Sequence, residues 1–353
     1  MKVGIFTFHC AHNYGAMLQA FALEKTLNKI GCDASVIDYR PAYLTNPYKC
    51  RLRKLSSLFA KSWKFFKINL YYYFFPYIRY YRFENFLKKI NVEPFSPSVL
   101  ETLDCAVFGS DQIWNIHITE GDRFWFAEYL PDTVRKISYA ASSEIDDVDF
   151  SAIADSIIAN FDAISVRESN LQRIISEKTN KNISCVLDPT LLADERIWEA
   201  LDGDKLIKDK YLLLYQVIPD KYASELARKL ATENDWKLIE VASYSLPYDE
   251  NVIQTASPEM FYNLIRHSEF VVTTSFHGTA FSLICEKPFL TVRRMRGRNC
   301  RVENLLNDVG LLNRLVCEGE DLPPFDVDFK KVKIRLEERR QESLSFLRNA
   351  LML

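Results

Sequence analysis

The residues best suited to chemistry surround Ser275-Phe276-His277-Gly278, between a β-branched run over 270–274 and a helical pattern over 279–286. A strand that turns into a helix at such a corner brings unpaired backbone N–H groups and an imidazole into one space. Imidazole titrates near neutral pH, so a histidine there can pass protons beside a bound anion. His277 is one of five histidines in the chain. A core histidine that caps its own turn would have the same spacing. Gly278, Thr279 and Ala280 favour function, because small residues let an anion approach the helix end.

Cations follow close behind. Arg293, Arg294, Arg296, Arg298 and Arg301 crowd the stretch after a strand over 288–292. Guanidinium groups at this density form either a solvated loop or a clamp for carboxylate and phosphate, and a place beyond a strand end favours the clamp. His12-Asn13-Tyr14-Gly15 is a polar loop before a helix, where Asn13 is either a plain N-cap or a contact to a substrate hydroxyl or phosphate. Gly109-Ser110-Asp111-Gln112-Ile113-Trp114-Asn115, Ala141-Ser142-Ser143, Arg167-Glu168-Ser169 and Asp188-Pro189-Thr190 each follow a short apolar run. One such loop is commonplace; a series of them points to a single crevice fed by many strand ends.

The elements that must hold these loops read as strands and helices in alternation. A strand over 3–8, a helix over 15–30 and a strand over 35–39 open a doubly wound domain. No G-x-G-x-x-G accompanies them, so a dinucleotide site has no support. Strands are expected over 104–108, 135–140, 163–167 and 184–187, and a charged stretch over 194–210 crosses into a second domain. There a strand over 211–217, a helix over 221–233, a strand over 237–242 and a helix over 257–267 lead back to the His277 corner. The expected division is an N-terminal Rossmann-like domain over 1–195, a C-terminal one over 205–325 and a terminal helix over 326–353.

With 353 residues, 48% hydrophobic and 26% charged, the chain has the composition of a soluble two-domain protein. A net charge of −2 gives no reason to expect nucleic acid. The 8 cysteines form no Cys-x-x-Cys pair, which argues against zinc or a disulfide framework and for a reducing cytosol. No secretory signal opens the sequence, so a cytoplasmic place is expected. One segment stands apart. Residues 49–91 interleave eleven lysines and arginines with large aromatics and carry a single acid, Glu84. The expectation is a basic, aromatic helical insertion, about 49–95, that either packs on the main domain or lies on an anionic membrane or partner surface.

The motifs in this order and spacing resemble the polysaccharide pyruvyl transferase family. The resemblance runs over most of the chain, through Asn13-Tyr14-Gly15-Ala16-Met17-Leu18-Gln19-Ala20, Gly109 to Asn115, Ser138-Tyr139-Ala140-Ala141-Ser142, Ser165-Val166-Arg167-Glu168, Asp188-Pro189-Thr190-Leu191-Leu192 and Thr274-Ser275-Phe276-His277-Gly278. It leaves out 49–91. It implies a glycosyltransferase-B-like pair of Rossmann-like domains and transfer of pyruvate from phosphoenolpyruvate to two sugar hydroxyls as a cyclic ketal. On that reading His277 and Asp111 are catalytic, and Arg167, Ser275, Gly278, Thr279, Arg293 and Arg294 hold the donor. Asn13, Tyr14, Gln112 and Trp114 hold the acceptor, a cell-surface polysaccharide precursor that could be lipid-linked at the inner membrane face. No metal or cofactor is called for, because protein cations serve the donor. Family members carry an Arg two residues before the motif histidine; here that residue is Ser275, so other guanidiniums must serve. Two rival readings share these residues: a nucleotide-sugar-dependent glycosyltransferase of the same architecture, and a non-catalytic protein of polysaccharide assembly.

Overall fold

The computed structural model describes residues 1–48, 63–145, 147–242, 246, 249–294 and 299–353. Two parallel sheets organise them. The first contains β1 (Lys2–Phe6), β2 (Asp33–Asp38), β3 (Val92–Pro94), β4 (Cys105–Phe108), β5 (Arg135–Ala141), β6 (Ala163–Val166) and β7 (Ile183–Cys185). Their order across the sheet is β3-β2-β1-β4-β5-β6-β7. The second contains β8 (Tyr211–Gln216), β9 (Lys237–Ala242), β10 (Val252–Ile253), β11 (Phe270–Thr273), β12 (Phe289–Val292) and β13 (Leu315–Val316), in the order β10-β9-β8-β11-β12-β13. Strand order reverses between β1 and β4 in one sheet and between β8 and β11 in the other. Crevices that receive ligands open at such reversals, beyond the carboxyl ends of the strands.

The strands are near-continuous apolar runs because both faces of a parallel sheet are covered. Cys105–Phe108, Phe270–Thr273 and Phe289–Val292 are buried throughout. The cover between the two sheets is shared. Thirteen of the sixteen residues of the Tyr14–Lys29 helix are buried, and only a helix enclosed on nearly every side shows that pattern. Tyr14 stacks on Phe261 of the second domain with ring centroids 4.7 Å apart. The Phe329–Leu351 helix leaves the second domain and packs on the first. There Ser343 Oγ accepts from the Leu187 amide at 3.0 Å, and Arg135 Nε donates to the Ala350 carbonyl at 2.6 Å.

Of the basic aromatic segment, 49–62 lies outside the described residues. The remainder forms the Trp63–Leu87 helix, which carries the chain from β2 towards β3. Phe83 and Phe86, in its last turns, are fully buried. Two of its cations brace the domains. Arg79 donates to the carbonyls of His12, Ala242 and Gln254 at 2.9, 3.2 and 3.1 Å, and Arg82 donates to that of Thr255 at 2.7 Å. No helix among the described residues is long and apolar enough to cross a membrane.

Candidate active site

A cleft of about 290 Å³ opens where the two strand-order reversals face each other. The loop after β1 contributes Asn13, and the loop after β4 contributes Asp111, Gln112 and Asn115. Glu144 comes from beyond β5, and Thr274, Ser275, Phe276 and His277 from beyond β11. Arg294 and Arg301 arrive from beyond β12.

Local sequence explains each placement. Asn13 is the N-cap of the Tyr14–Lys29 helix, with Oδ1 accepting from the amides of Gly15 and Ala16 at 2.9 and 3.3 Å, so cap and cleft wall are the same residue. Asp111 has φ of 68°, a left-handed conformation that Asp tolerates better than most residues, and Oδ1 accepts from the Gln112 amide at 2.9 Å. The Phe276–Ile284 helix starts at the residue after Ser275. His277 is therefore already in its first turn, beside amides that lack intrahelical partners.

The imidazole of His277 is wedged between the domains. An ideal Cβ on Gly15 would lie 2.0 Å from its Nδ1, so only glycine fits there. Its Nε2 is buried without a hydrogen-bond partner and lies 3.8 Å from Asp188 Oδ2. That carboxylate is the hub of the site. Oδ1 caps the Pro189–Leu192 turn through the Thr190 amide at 2.9 Å, while Oδ2 accepts from Arg167 Nη1 at 2.5 Å and Ser110 Oγ at 3.1 Å. Burial would raise its pKa, but His277 and Arg167 outweigh that and hold the Asp188 carboxyl well below the usual range.

Arg167 is locked. Besides Asp188 it donates from Nη2 to Ser142 Oγ at 2.8 Å, and its guanidinium lies 4.6 Å from the Phe276 ring centroid. Its side chain is 2% exposed and that of Asp188 is 0%. Separating such a buried pair leaves an uncompensated charge and costs about 3–5 kcal/mol. Ser142 Oγ donates in turn to Glu168, whose carboxyl burial pushes up to about 7 against the opposing pull of Arg167 and Arg301. The other two arginines are wetter. Arg301 pairs with Glu144, Arg294 Nη1 lies 3.9 Å from the same carboxylate, and their side chains are 13% and 29% exposed.

The structure thus brings His277, Asp111, Ser275, Arg294, Asn13 and Gln112 onto one surface. Arg167 stands behind that surface, tied to Asp188. Gly278 and Thr279 turn away, because the helix begins three residues earlier than its sequence pattern indicates. Gly278 packs on Thr273, and Thr279 Oγ1 is committed to the Ser275 carbonyl at 3.0 Å and to Thr291 Oγ1 at 2.7 Å. Tyr14 and Trp114 are fully buried, the indole N–H of Trp114 donating to the Trp125 carbonyl at 3.2 Å. Arg293 pairs with Glu303, and Arg296 and Arg298 lie outside the described residues. Asp188, Glu144 and Arg301 carry more of the site than their sequence signals reveal. Asp188-Pro189-Thr190 reads as a helix cap, which it also is. The apolar spacing Val302, Leu305, Leu306 and Val309 is the signal that puts Arg301 on a helix.

Paired parallel-sheet domains facing across a cleft at their strand-order reversals define a glycosyltransferase-B-like architecture. Among solved structures, UDP-N-acetylglucosamine 2-epimerase from Rickettsia bellii is similar with a TM-score of 0.50 and 11% identity, over 100% of this chain and 95% of that one. A Methanocaldococcus jannaschii UDP-GlcNAc 2-epimerase in complex with UDP-GlcNAc and UDP gives 0.49 and 13%, over 96% and 94%. ADP-heptose LPS heptosyltransferase II of E. coli gives 0.41 and 11%, over 97% and 99%. At 11% identity the likeness to the Rickettsia bellii enzyme is one of fold alone. No curated protein sequence matches the chain significantly. The polysaccharide pyruvyl transferase family model matches residues 13–294, and the chain belongs to that family. The match runs from Asn13 to Arg294, and so takes in cleft walls from both domains.

Proposed function

We propose that this cleft moves the pyruvyl group of phosphoenolpyruvate onto two hydroxyls of a sugar in a cell-surface polysaccharide precursor, forming a cyclic ketal. The observation that carries the reading is the meeting of His277 with Arg294 and Arg301 in one cleft of a family member. Such a donor carries a carboxylate and a phosphate, each matched by a planar guanidinium. Ser275 takes the place of the family's arginine, and Arg301 supplies a second positive charge from another element.

The reaction balances in two steps. First a proton from His277 is added to the methylene carbon while a sugar hydroxyl oxygen bonds to the neighbouring carbon. Asp111 accepts the hydroxyl proton, and a ketal phosphate with a new methyl group results. Then the bond from that carbon to the phosphate oxygen breaks, the second hydroxyl takes its place and phosphate leaves with that hydroxyl's proton. The proton held by Asp111 returns to His277 through solvent, which restores both groups. Asn13, Gln112 and Asn115 offer hydrogen bonds to the acceptor. Arg167 is a positioning residue that holds Asp188 against His277. Guanidinium and backbone N–H groups supply the positive charge, so the proposal includes no cofactor.

A cytoplasmic enzyme working on a lipid-linked acceptor needs a surface that meets the membrane. Phe74, Ile78 and Tyr81 follow one another at helical spacing and are 47%, 41% and 67% exposed, which supports such a contact. Mass spectrometry of products from phosphoenolpyruvate and candidate acceptors tests the reaction: a ketal formed with release of phosphate sustains it, and transfer of a whole sugar from a nucleotide sugar refutes it.

A further inference from the structure

Glu144 has no part in the reaction above, yet it is the carboxylate that meets both cleft arginines. Its Oε1 contacts Arg301 Nη2, and its Oε2 lies 3.9 Å from Arg294 Nη1. Glu144 belongs to the first domain and the two arginines to the second, and all three line the same cleft. An anionic group of the protein therefore sits where an anionic ligand has to bind.

The contact is of a kind that exchanges readily. The Glu144 side chain is 20% exposed, whereas that of Asp188, which holds Arg167, is 0% exposed. A further contact, from Gln112 Nε2, is 3.5 Å long, at the weak limit of a hydrogen bond. A partly exposed carboxylate with one close partner swings aside at less cost than a fully buried and fully bonded one.

We propose that Glu144 is an intramolecular stand-in for the donor's anionic groups: it pairs with Arg294 and Arg301 in the free protein, and a phosphate-bearing ligand binds by displacing it. The inference rests on the donor reading given above. It makes Glu144 a determinant of specificity. A singly charged ligand only replaces like with like, whereas a phosphate ester that also bears a carboxylate brings more charge to two guanidiniums. It also makes the ion pair between the domains one that the ligand takes over.

Calorimetric titration of the full chain with inorganic phosphate and with phosphoenolpyruvate, at one ionic strength, tests this on wild type, Glu144→Gln and Glu144→Ala. Both variants are expected to bind phosphate at least about threefold more tightly than wild type, the lower bound being set by removing a competing ion pair that is partly exposed. Adding Arg301→Ala to either should abolish the gain. Glu144→Ala stands in should the glutamine variant fail to fold. Equal or weaker phosphate affinity in the variants overturns the proposal. Tighter phosphate binding with no binding of phosphoenolpyruvate sustains the stand-in and removes the donor assignment instead.

Discussion

His277 of the second domain lies so close to Gly15 of the first that an added Cβ would meet its Nδ1 at 2.0 Å. Gly15 is in the first turn of a helix, where alanine has the better intrinsic propensity by up to about 1 kcal/mol. Gly15→Ala is therefore expected to spare the first domain and push the imidazole away from Asp188. Turnover should fall about 100-fold, the low end of what a positioned acid or base contributes. His277→Ala should fall at least as far. Activity assays beside thermal melting curves decide it, and a Gly15→Ala enzyme of normal rate would detach His277 from the chemistry.

Arg167 and Arg301 should part company under truncation. Arg167→Ala strands Asp188 without its counter-charge and should cost about 3–5 kcal/mol of stability. Arg301 is 13% exposed, paired with the partly exposed Glu144 and 3.9 Å from Glu168, so Arg301→Ala should cost less than Arg167→Ala, about 1–3 kcal/mol. Urea unfolding of both variants checks this. Equal destabilisation would mean that the two arginines are not divided into a structural one and a ligand-binding one.

Glu168 predicts a pH dependence of stability. Its carboxyl, ordinarily near 4.5, is pushed up to about 7 by burial, with its Oε2 lacking a partner. Between those values the folded state keeps a proton that the unfolded state has lost. The stability contribution is thus complete below 4.5, declines as pH rises through 7, and is flat above that. The decline amounts to roughly 3 kcal/mol at 1.36 kcal/mol per pH unit. Glu168→Gln should remove this slope. Urea midpoints at about pH 5 and pH 8 measure it, and a variant with the same slope as wild type would exclude Glu168 as its source.

The exposed stripe of Phe74, Ile78 and Tyr81 should govern attachment to anionic vesicles. Replacing all three with serine leaves the buried Phe83 and Phe86 in place, which deleting the segment would not. Flotation with vesicles rich in phosphatidylserine should carry up wild type and leave the variant behind. Equal flotation would free this helix of any membrane role.

Most of the fold was legible in the sequence, because each parallel strand is a short apolar run closed by polar or small residues. Tyr211–Gln216, Lys221–Glu233 and Lys237–Ala242 follow directly from composition and period. Val92–Pro94, Val252–Ile253 and Leu315–Val316 are only two or three residues long and lie at or near sheet edges, too short to carry a period of their own. The site was half legible. His277 announces itself by type and corner. Asp188 hides inside an ordinary capping motif, and Glu144 and Arg301, 157 residues apart in sequence, meet only because the two domains close on each other. The Phe276–Ile284 helix begins earlier than its apolar pattern shows, and that shift turns Gly278 and Thr279 inward.

The cleft between His277 and the Arg294–Arg301 pair is the proposed binding place of phosphoenolpyruvate. Calorimetry of the full chain with phosphoenolpyruvate and with UDP- and GDP-sugars addresses it most directly. Saturable binding of phosphoenolpyruvate is expected, weakened about tenfold or more by Arg301→Ala as a charge-assisted contact is lost, with no binding of the nucleotide sugars. Tight binding of a nucleotide sugar, with phosphoenolpyruvate failing to bind, would contradict it.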